Sequence, residues 1–277
     1  MKQLLLLSAT LLLALSCSQS KAPKTLVLYY SQTTNTETVA KEIASRLGAD
    51  LQAIVPVTPY DGDFQATIER CLKEREDSTL CLIYPPAAHV RDYDVIFLGY
   101  PVWFGTYAPP VDHFILNEDF SGKKIVPFCT FGSGGLESSV ADLKAALEAA
   151  HQSDVEILPG YGVRAARMEA MPKEVEQFLI AGGFLEGEYT PLADFPELHE
   201  VSDDEAAIFD AAVDGYPMLH AQAKCVATRA LPNGTEYHYI AEDLPREDKP
   251  DMPPAGELDV YVTVTNGAAP VFTRVVR

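Results

Sequence analysis

Positive charge and several catalytic motifs are scarce in this chain of 277 residues. Lys and Arg total 21 against 40 Asp and Glu, and the resulting formal net charge of −19 argues against nucleic-acid binding. No C-x-x-C pair and no G-x-S-x-G elbow occurs, and the six His residues include no pair at i, i+4. A redox dithiol, a serine hydrolase and a metal site therefore lack sequence support, and we expect no metal.

The loop after the first apolar run lacks the residues that two common nucleotide-binding loops need. Residues Thr25 to Tyr30 have the β-branched, aliphatic and aromatic composition of a buried strand. No Lys or Arg occurs between Lys24 and Lys41, which argues against a nucleoside triphosphate loop. No Gly occurs before Gly48, so the dinucleotide motif G-x-G-x-x-G is absent as well.

What this loop does contain is a set of hydroxyl groups just before a predicted helix. The hydroxyl residues are Ser31, Thr33, Thr34 and Thr36, and the helix follows with apolar residues at Val39, Ile43 and Leu47. The first N–H groups of a helix have no partner inside it, so they can hold a phosphate together with hydroxyls and without a cation. The alternative is an ordinary turn whose Ser and Thr residues only cap the helix.

Two later loops also follow predicted strands. Residues 94–100 lead into 101–107, and residues 124–130 lead into 131–135 and a helix over about 136–150. Alternating strands and helices predict a parallel sheet with helices on both faces. Ligands of such open sheets bind at the carboxyl ends of the strands, which is where all three loops lie.

Four segments, in order, resemble the flavodoxin family, in its branch of longer bacterial proteins, over residues 25 to about 183. They are SQTTNT (31–36), YDGDFQATIERCLKE (60–74), YDVIFLGYPVWFG (93–105) and GKKIVPFCTFGSGG (122–135). The resemblance implies an α/β fold with a doubly wound, parallel, five-stranded sheet. It also implies FMN as a non-covalent cofactor, with its phosphate in the first loop and its isoalloxazine between the other two.

The cofactor-binding residues that the resemblance implies lie in the three loops, and none is assigned a catalytic role. They are Ser31, Gln32, Thr33, Thr34, Asn35, Thr36, Pro101, Val102, Trp103, Phe104, Gly105, Thr130, Phe131, Gly132, Ser133, Gly134 and Gly135. Trp103, the one Trp, could cover a flavin face or simply pack in its loop. Gly132 to Gly135 could let backbone approach a flat ring, or could form a flexible turn. The family usually has Gly where this chain has Thr34, and a β-branched residue is strained there if φ is positive.

The resemblance implies either an electron carrier or a small flavin oxidoreductase of the NAD(P)H:quinone type. Its partner would be a redox protein or a small-molecule electron acceptor. The alternative is a non-enzymatic envelope lipoprotein that has lost flavin and binds a glycan, peptide or protein through its C-terminal part.

The N-terminus predicts export. Its apolar run from Leu4 to Leu15 is too short for a comfortable membrane span. Ser16 before Cys17 resembles a bacterial lipoprotein box, which implies a signal peptide at 1–16, lipid-modified Cys17, a tether at 17–24 and an envelope location in the periplasm or at the cell surface. The alternative is a plain secretory signal. Export permits disulfides, and Cys71 and Cys81 are spaced so that they could pair.

The sequence predicts two units, a flavodoxin-like one over 25–185 and a smaller α+β one over 190–277. In the second, Ser202 to Glu205 is a capping box that opens a helix through Val213. Strands are predicted at 221–230, 235–241, 258–265 and 271–276, with hairpin signals at 233–234 and 266–267. The segment 234–237 (GTEY) weakly resembles a cystatin-like domain.

Overall fold

The structure is a computed structural model that describes residues 23–61, 63–152, 154–214, 216, 219–231, 233–245 and 254–276. The predicted signal peptide, Cys17 and most of the predicted tether lie outside these ranges. Among the described residues, no helix has the length and apolar character that crossing a membrane requires.

Seven strands form the first sheet. They are β1 (Thr25–Tyr29), β2 (Asp50–Ala53), β3 (Val95–Trp103), β4 (Thr106–Tyr107), β5 (Lys124–Phe131), β6 (Glu156–Ile157) and β7 (Tyr161–Arg164). The order is β2-β1-β3-β5-β6, all parallel, and β7 pairs with the second half of β5. Because β6 and β7 pair with successive halves of β5, they form one interrupted fifth strand, which confirms the predicted parallel sheet. The short β4 folds back antiparallel on the end of β3.

Helices cover both faces of this sheet. They are α1 (Asn35–Leu47), α2 (Phe64–Glu76), α3 (Pro109–Asn117), α4 (Leu136–Ala149) and α5 (Met171–Ala181). Helices α1 and α5 contribute to one apolar core, and α3 and α4 contribute to the core on the other face. Each central strand is buried on both faces, as its continuous apolar sequence predicts. Helix α3 was not predicted, although its two leading Pro residues suit a first helical turn.

The second sheet is antiparallel and carries one helix. Its elements are β8 (His199–Glu200), α6 (Asp203–Val213), β9 (Ala221–Leu231), β10 (Gly234–Asp243), β11 (Glu257–Thr265) and β12 (Val271–Val276), and the strand order is β12-β11-β10-β9-β8. Phe209 of α6 packs edge-on against Tyr239 of β10 in its core. The predicted helix and four-stranded meander are confirmed. Strand β8 was not predicted, because a two-residue strand is too short to show an alternating apolar pattern. The likeness to a cystatin-like domain stays a prediction.

The capping box of α6 is present in both directions. The Ser202 hydroxyl accepts from the N–H of Glu205, and the Glu205 carboxylate accepts from the N–H of Ser202. The bond from the Ser202 hydroxyl to the carboxylate holds the pKa of Glu205 below its usual range. A carboxyl group with a depressed folded-state pKa stabilises the fold above its unfolded pKa and loses that effect as the pH falls through its folded pKa.

We therefore expect Glu205→Gln to flatten part of the acid dependence of stability. The wild-type protein should gain stability over the variant as the pH rises to about 5, above the ordinary Glu pKa. Chemical denaturation monitored by circular dichroism at several pH values measures the free energy of unfolding of both proteins. Glu257→Gln, at an exposed position, is the matched control, and equal pH slopes for wild type and Glu205→Gln would contradict the expectation.

Candidate functional site

Three loops meet at the carboxyl edge of the first sheet. The first loop (31–36) follows β1, the second loop (101–107) spans the end of β3 and β4, and the third loop (130–135) spans the end of β5. Since β3 pairs in parallel with β1 on one side and with β5 on the other, the three loops leave the sheet side by side. All seventeen residues implied by the resemblance lie in these loops or in the adjoining strand ends and helix start.

Thr34 of the first loop has a left-handed backbone. Its φ is 69° and its ψ is −14°, and it is the N-cap residue of α1. No side chain caps this helix, so the interpretation of the Ser and Thr residues as ordinary caps is wrong for this loop. The conformation costs a non-Gly residue about 1–2 kcal/mol, and such strain is held in place by surrounding structure, often at binding sites.

Ser31 carries a buried hydroxyl that has no hydrogen-bond partner in the described part of the chain. Thr106 of the second loop has another such hydroxyl. A buried polar group without a partner is uncommon, and a bound water or ion is one of the ordinary reasons for it. Next to an uncapped helix N-terminus, a free hydroxyl donor fits an anion such as a phosphate.

The other first-loop side chains contact neighbouring segments. Thr36 is buried, and its hydroxyl lies 2.8 Å from the hydroxyl of Thr130, which joins the first loop to the third. The Gln32 amide donates to the Tyr60 carbonyl at 3.0 Å. Thr33 and Thr34 are exposed, and Asn35 is half-buried at the start of α1. The first loop is therefore fixed at both ends and open in its middle.

Trp103 of the second loop is half-buried and belongs to an aromatic cluster. Its ring lies edge-on to Tyr30 at 5.9 Å and to Tyr60 at 5.1 Å between centroids. It also lines a cleft of about 400 Å³, so it packs in its loop as one prediction had it, and its predicted contact with a flavin face stays a prediction. The lining residues of the cleft are Gln32, Thr33, Thr67, Ile68, Cys71, Val102, Trp103 and Phe104.

The second loop is strained at its tip and supported from two sides. Phe104 has φ 53° and is 57 % exposed, so its ring faces outwards. Gly105 has φ +83°, and its carbonyl accepts from the hydroxyl of Ser138 at the start of α4. The guanidinium of Arg75 donates to the carbonyls of Trp103, at 3.0 Å, and Tyr107, at 3.4 Å. These bonds hold an apolar ring at the mouth of the cleft.

The glycines of the third loop have neighbours that the sequence did not reveal. A Cβ on Gly134 would lie 3.0 Å from the carbonyl oxygen of Val275 in β12. A Cβ on Gly135 would lie 2.5 Å from a methyl carbon of Val102. Both glycines also have positive φ, 129° and 113°. The close approach expected of a flat ring is thus made here by the chain's own C-terminal strand and second loop.

Sequence reasoning missed a buried polar cluster beside the cleft. The Tyr60 hydroxyl donates to the carboxylate of Glu74 and lies 3.6 Å from the sulfur of Cys81. The guanidinium of Arg70 lies over the Tyr60 ring at 3.8 Å and pairs with Glu74 at 2.7 Å. Burial, and next the bond to Glu74, raise the pKa of Tyr60. The segment 60–74 was already one of the four matching segments, which was the available signal.

The cysteines near this cluster are inert thiols. Cys71 and Cys81 are both buried and both free in the structure, so the disulfide considered from their spacing is not formed. Burial raises the pKa of Cys71 and raises that of Cys81 to about 11. Both thiols therefore stay protonated near neutral pH, which makes them poor nucleophiles. In the described ranges, no cluster of His, Cys, Asp and Glu could hold a metal.

The profile of the family described as Flavodoxin matches residues 24–171. The chain belongs to the flavodoxin family. That match covers the first sheet through β7 together with all three loops of the site, and it ends where α5 begins.

Solved flavodoxin-like structures resemble the chain over about half its length. A candidate flavoprotein of Bacteroides uniformis is 26% identical, covering 56% of this chain and 99% of its own, with a TM-score of 0.48. A Lactobacillus acidophilus flavoprotein in complex with FMN is 22% identical over 51% of this chain and 93% of its own, with a TM-score of 0.44. Flavodoxin 2 of Bacillus cereus is 20% identical, covers 58% and 97%, and has a TM-score of 0.39. Because these TM-scores are low, the family assignment rests on the sequence match. No curated protein matches the chain.

We expect Thr34→Gly to stabilise the protein by about 1 kcal/mol, because Gly adopts positive φ without steric cost and the exposed Thr side chain loses no packing. Thr33→Gly is the matched control, since Thr33 is equally exposed and is not among the positive-φ residues. It should destabilise by about 0.5–1 kcal/mol through backbone entropy. Urea denaturation measures both, and a destabilised Thr34→Gly variant would contradict the strain at this position.

Proposed function

We propose that this protein binds FMN non-covalently at the carboxyl edge of its first sheet and transfers electrons at the bacterial cell envelope. The observation that carries the proposal is the partnerless buried hydroxyl of Ser31 beside the uncapped start of α1. It lies in the loop that the flavodoxin family uses for a phosphate, and the family match includes it.

The residues present fit the phosphate end of FMN without a cation. The hydroxyls of Ser31 and Thr33 and the first N–H groups of α1 would hold the phosphate. The hydroxyl of Thr36 would act through its bond to Thr130, which fixes the first loop against the third. The left-handed Thr34 supplies the backbone geometry that Gly supplies elsewhere in the family.

The ring end would be held by apolar and backbone groups. Trp103 and Val102 line the cleft beside the first loop, and Phe104 lies exposed at its mouth. The flavin would supply the redox chemistry, and the protein's part is to position it, exclude water and set its electrostatic surroundings. The acceptor is either a redox protein or a small molecule such as a quinone, and the family supports both an electron carrier and a small oxidoreductase.

A second candidate function is favoured by the contacts of the third loop. Gly134 and Gly135 already have Val275 and Val102 at close range, so the space that glycines would leave for a ring is partly filled. A non-enzymatic envelope lipoprotein without flavin, which binds a glycan, peptide or protein through its C-terminal sheet, would show the same contacts. Direct flavin binding separates the two functions.

The decisive measurement is the visible spectrum of the purified protein after reconstitution with FMN and dialysis. We expect a retained yellow chromophore with quenched fluorescence. Ser31→Ala should weaken FMN binding about tenfold, the usual scale for one hydrogen bond to a charged group, and should leave riboflavin binding unchanged because riboflavin has no phosphate. Trp103→Ala should weaken the binding of both FMN and riboflavin. Ser121→Ala, an exposed hydroxyl before β5 at the opposite edge of the sheet, is the matched control. A colourless protein that cannot be reconstituted would overturn the proposal.

We also propose that Cys17 is the lipidated first residue of the mature protein, which is supported by the sequence around the predicted cleavage point. Labelled palmitate should be incorporated into the wild-type chain expressed in bacteria, and Cys17→Ser should abolish incorporation because no thiol remains at that position. Cys225→Ser is the control, since that residue lies in β9. Label retained in Cys17→Ser would show that the anchor is elsewhere.

A further inference from the structure

The last strand, β12, is hydrogen-bonded to the third loop. In the second sheet β12 is an edge strand, with β11 on one side only. On its other side, the N–H of Val275 donates to the carbonyl of Ser133 at 2.8 Å. The guanidinium of Arg274 lies 3.7 Å from the carboxylate of Glu137, in the first turn of α4. The second sheet is thus attached directly to the loop that the proposed FMN site uses.

Arg164 hydrogen-bonds to the same two segments, the third loop and β12. It is the last residue of β7, and its Nε donates to the carbonyl of Gly132 at 2.7 Å. Its Nη1 donates to the carbonyl of Phe272 in β12. The guanidinium also lies over the Phe272 ring at 4.8 Å and over the Tyr216 ring at 5.6 Å. Desolvation lowers the pKa of Arg164, but an arginine stays charged from so high a starting value, and its two bonds are charge-assisted.

These contacts fix the direction of two consecutive peptide groups. The described residues contain no cis peptide bond, so the N–H of each peptide points opposite to its carbonyl. Because the Gly132 carbonyl points to Arg164, the N–H of Ser133 points away from Arg164. Because the Ser133 carbonyl points to Val275, the N–H of Gly134 points away from β12. Within the described chain, neither N–H has an acceptor.

Gly134 is required by the same arrangement. Its φ of 129° is accessible only to glycine at low cost, and a Cβ there would lie 3.0 Å from the Val275 carbonyl oxygen. The third loop can therefore approach β12 closely on one side while it keeps two N–H donors on the other. A flexible Gly-rich turn in isolation would have to be ordered by the ligand itself, at a cost in affinity.

We propose that Arg164 and β12 form a brace that holds the third loop with the N–H groups of Ser133 and Gly134 presented to the pyrimidine carbonyls of the flavin. The inference rests on the proposed FMN site and assigns Arg164 and the C-terminal sheet a positioning role in it. Binding of the flavin and docking of β12 are then coupled, and each stabilises the other by the same free energy.

The test is the affinity of the full chain for two flavins. Arg164→Met removes both donated bonds and keeps most of the side-chain volume. We expect the Kd of FMN, measured by fluorescence quenching, to rise about tenfold, and the Kd of riboflavin to rise by the same factor, because the lost donors face the ring and not the phosphate. The carbonyl stretching band of the bound flavin should move to higher frequency in the infrared spectrum as its hydrogen bonds are lost. Arg164→Lys, which restores the charge but not the fork, should recover part of the affinity.

The matched control is Arg229→Met. Arg229 lies on β9, three strands from β12, and it also stacks on a ring, that of Phe195, and pairs with Glu236. Its replacement should leave both flavin affinities unchanged. A reduced affinity shared by Arg229→Met and Arg164→Met would indicate general destabilisation and would overturn the brace.

A second variant tests the strand independently of Arg164. Val275→Pro removes the N–H that reaches Ser133, and because that N–H faces away from β11 it leaves the ladder bonds of the sheet in place. Val275→Pro should weaken the binding of FMN and of riboflavin by the same factor, and this variant decides the question if Arg164→Met does not fold.

In the wild-type protein, saturating FMN should slow hydrogen exchange of the Val275 amide. A wild-type chain that binds no flavin overturns the proposed function and the brace together, whereas wild-type binding with unchanged affinity in both variants overturns the brace alone.

Discussion

The parallel register of β1, β3 and β5 is the constraint on which the site depends. Thr25 pairs with Val95, and Val95 pairs with Lys124, so the three strands begin at one edge and release their loops at the other. Helices bury both faces of these strands, so polar backbone can remain exposed only at the strand ends, and ligands of open parallel sheets bind at the carboxyl end. The loops are therefore neighbours because the sheet is parallel. Their side chains can meet although they lie far apart in the sequence.

Contacts between the loops turn these three neighbours into one unit. The hydroxyl pair of Thr36 and Thr130 joins the first to the third, and the contact of Val102 with Gly135 joins the second to the third. Strained backbone at Thr34 and Phe104 persists inside this unit because several bonds over-determine it. The strain lowers a net free energy of unfolding that is already small. The packing of the sheet beneath the loops has to offset that cost. A preorganised edge of this kind loses little further entropy when a ligand binds.

Local signals predicted most of the fold, whereas several contacts around the site were not predicted. The apolar runs, the capping box at Ser202 and the Asn-Gly hairpin signals each depend on residues close in sequence, and the structure has the corresponding elements. Thr34 was predicted to be strained on the condition of a positive φ, which the structure shows. The bond between Tyr60 and Glu74 and the approach of Val275 to Gly134 were not predicted, because they are set by packing between segments that no periodicity links. The glycine pattern predicted the close approach of a flat ring, whereas the atoms close to these glycines in the structure belong to Val275 and Val102.

The edge of the second sheet explains why that approach exists at all. An exposed edge strand invites pairing with other chains, and proteins protect such edges by making them short or by covering them. The edge at β8 is only two residues long, whereas the other edge, β12, is six residues long and is contacted by the third loop at Val275 and by Arg164 at Phe272. One set of contacts therefore protects part of a sheet edge in one unit and fixes the third loop in the other. Because the same bonds serve both purposes, we expect an interaction that orders the third loop to stabilise the edge of the second sheet as well, and the reverse to hold by the same free energy.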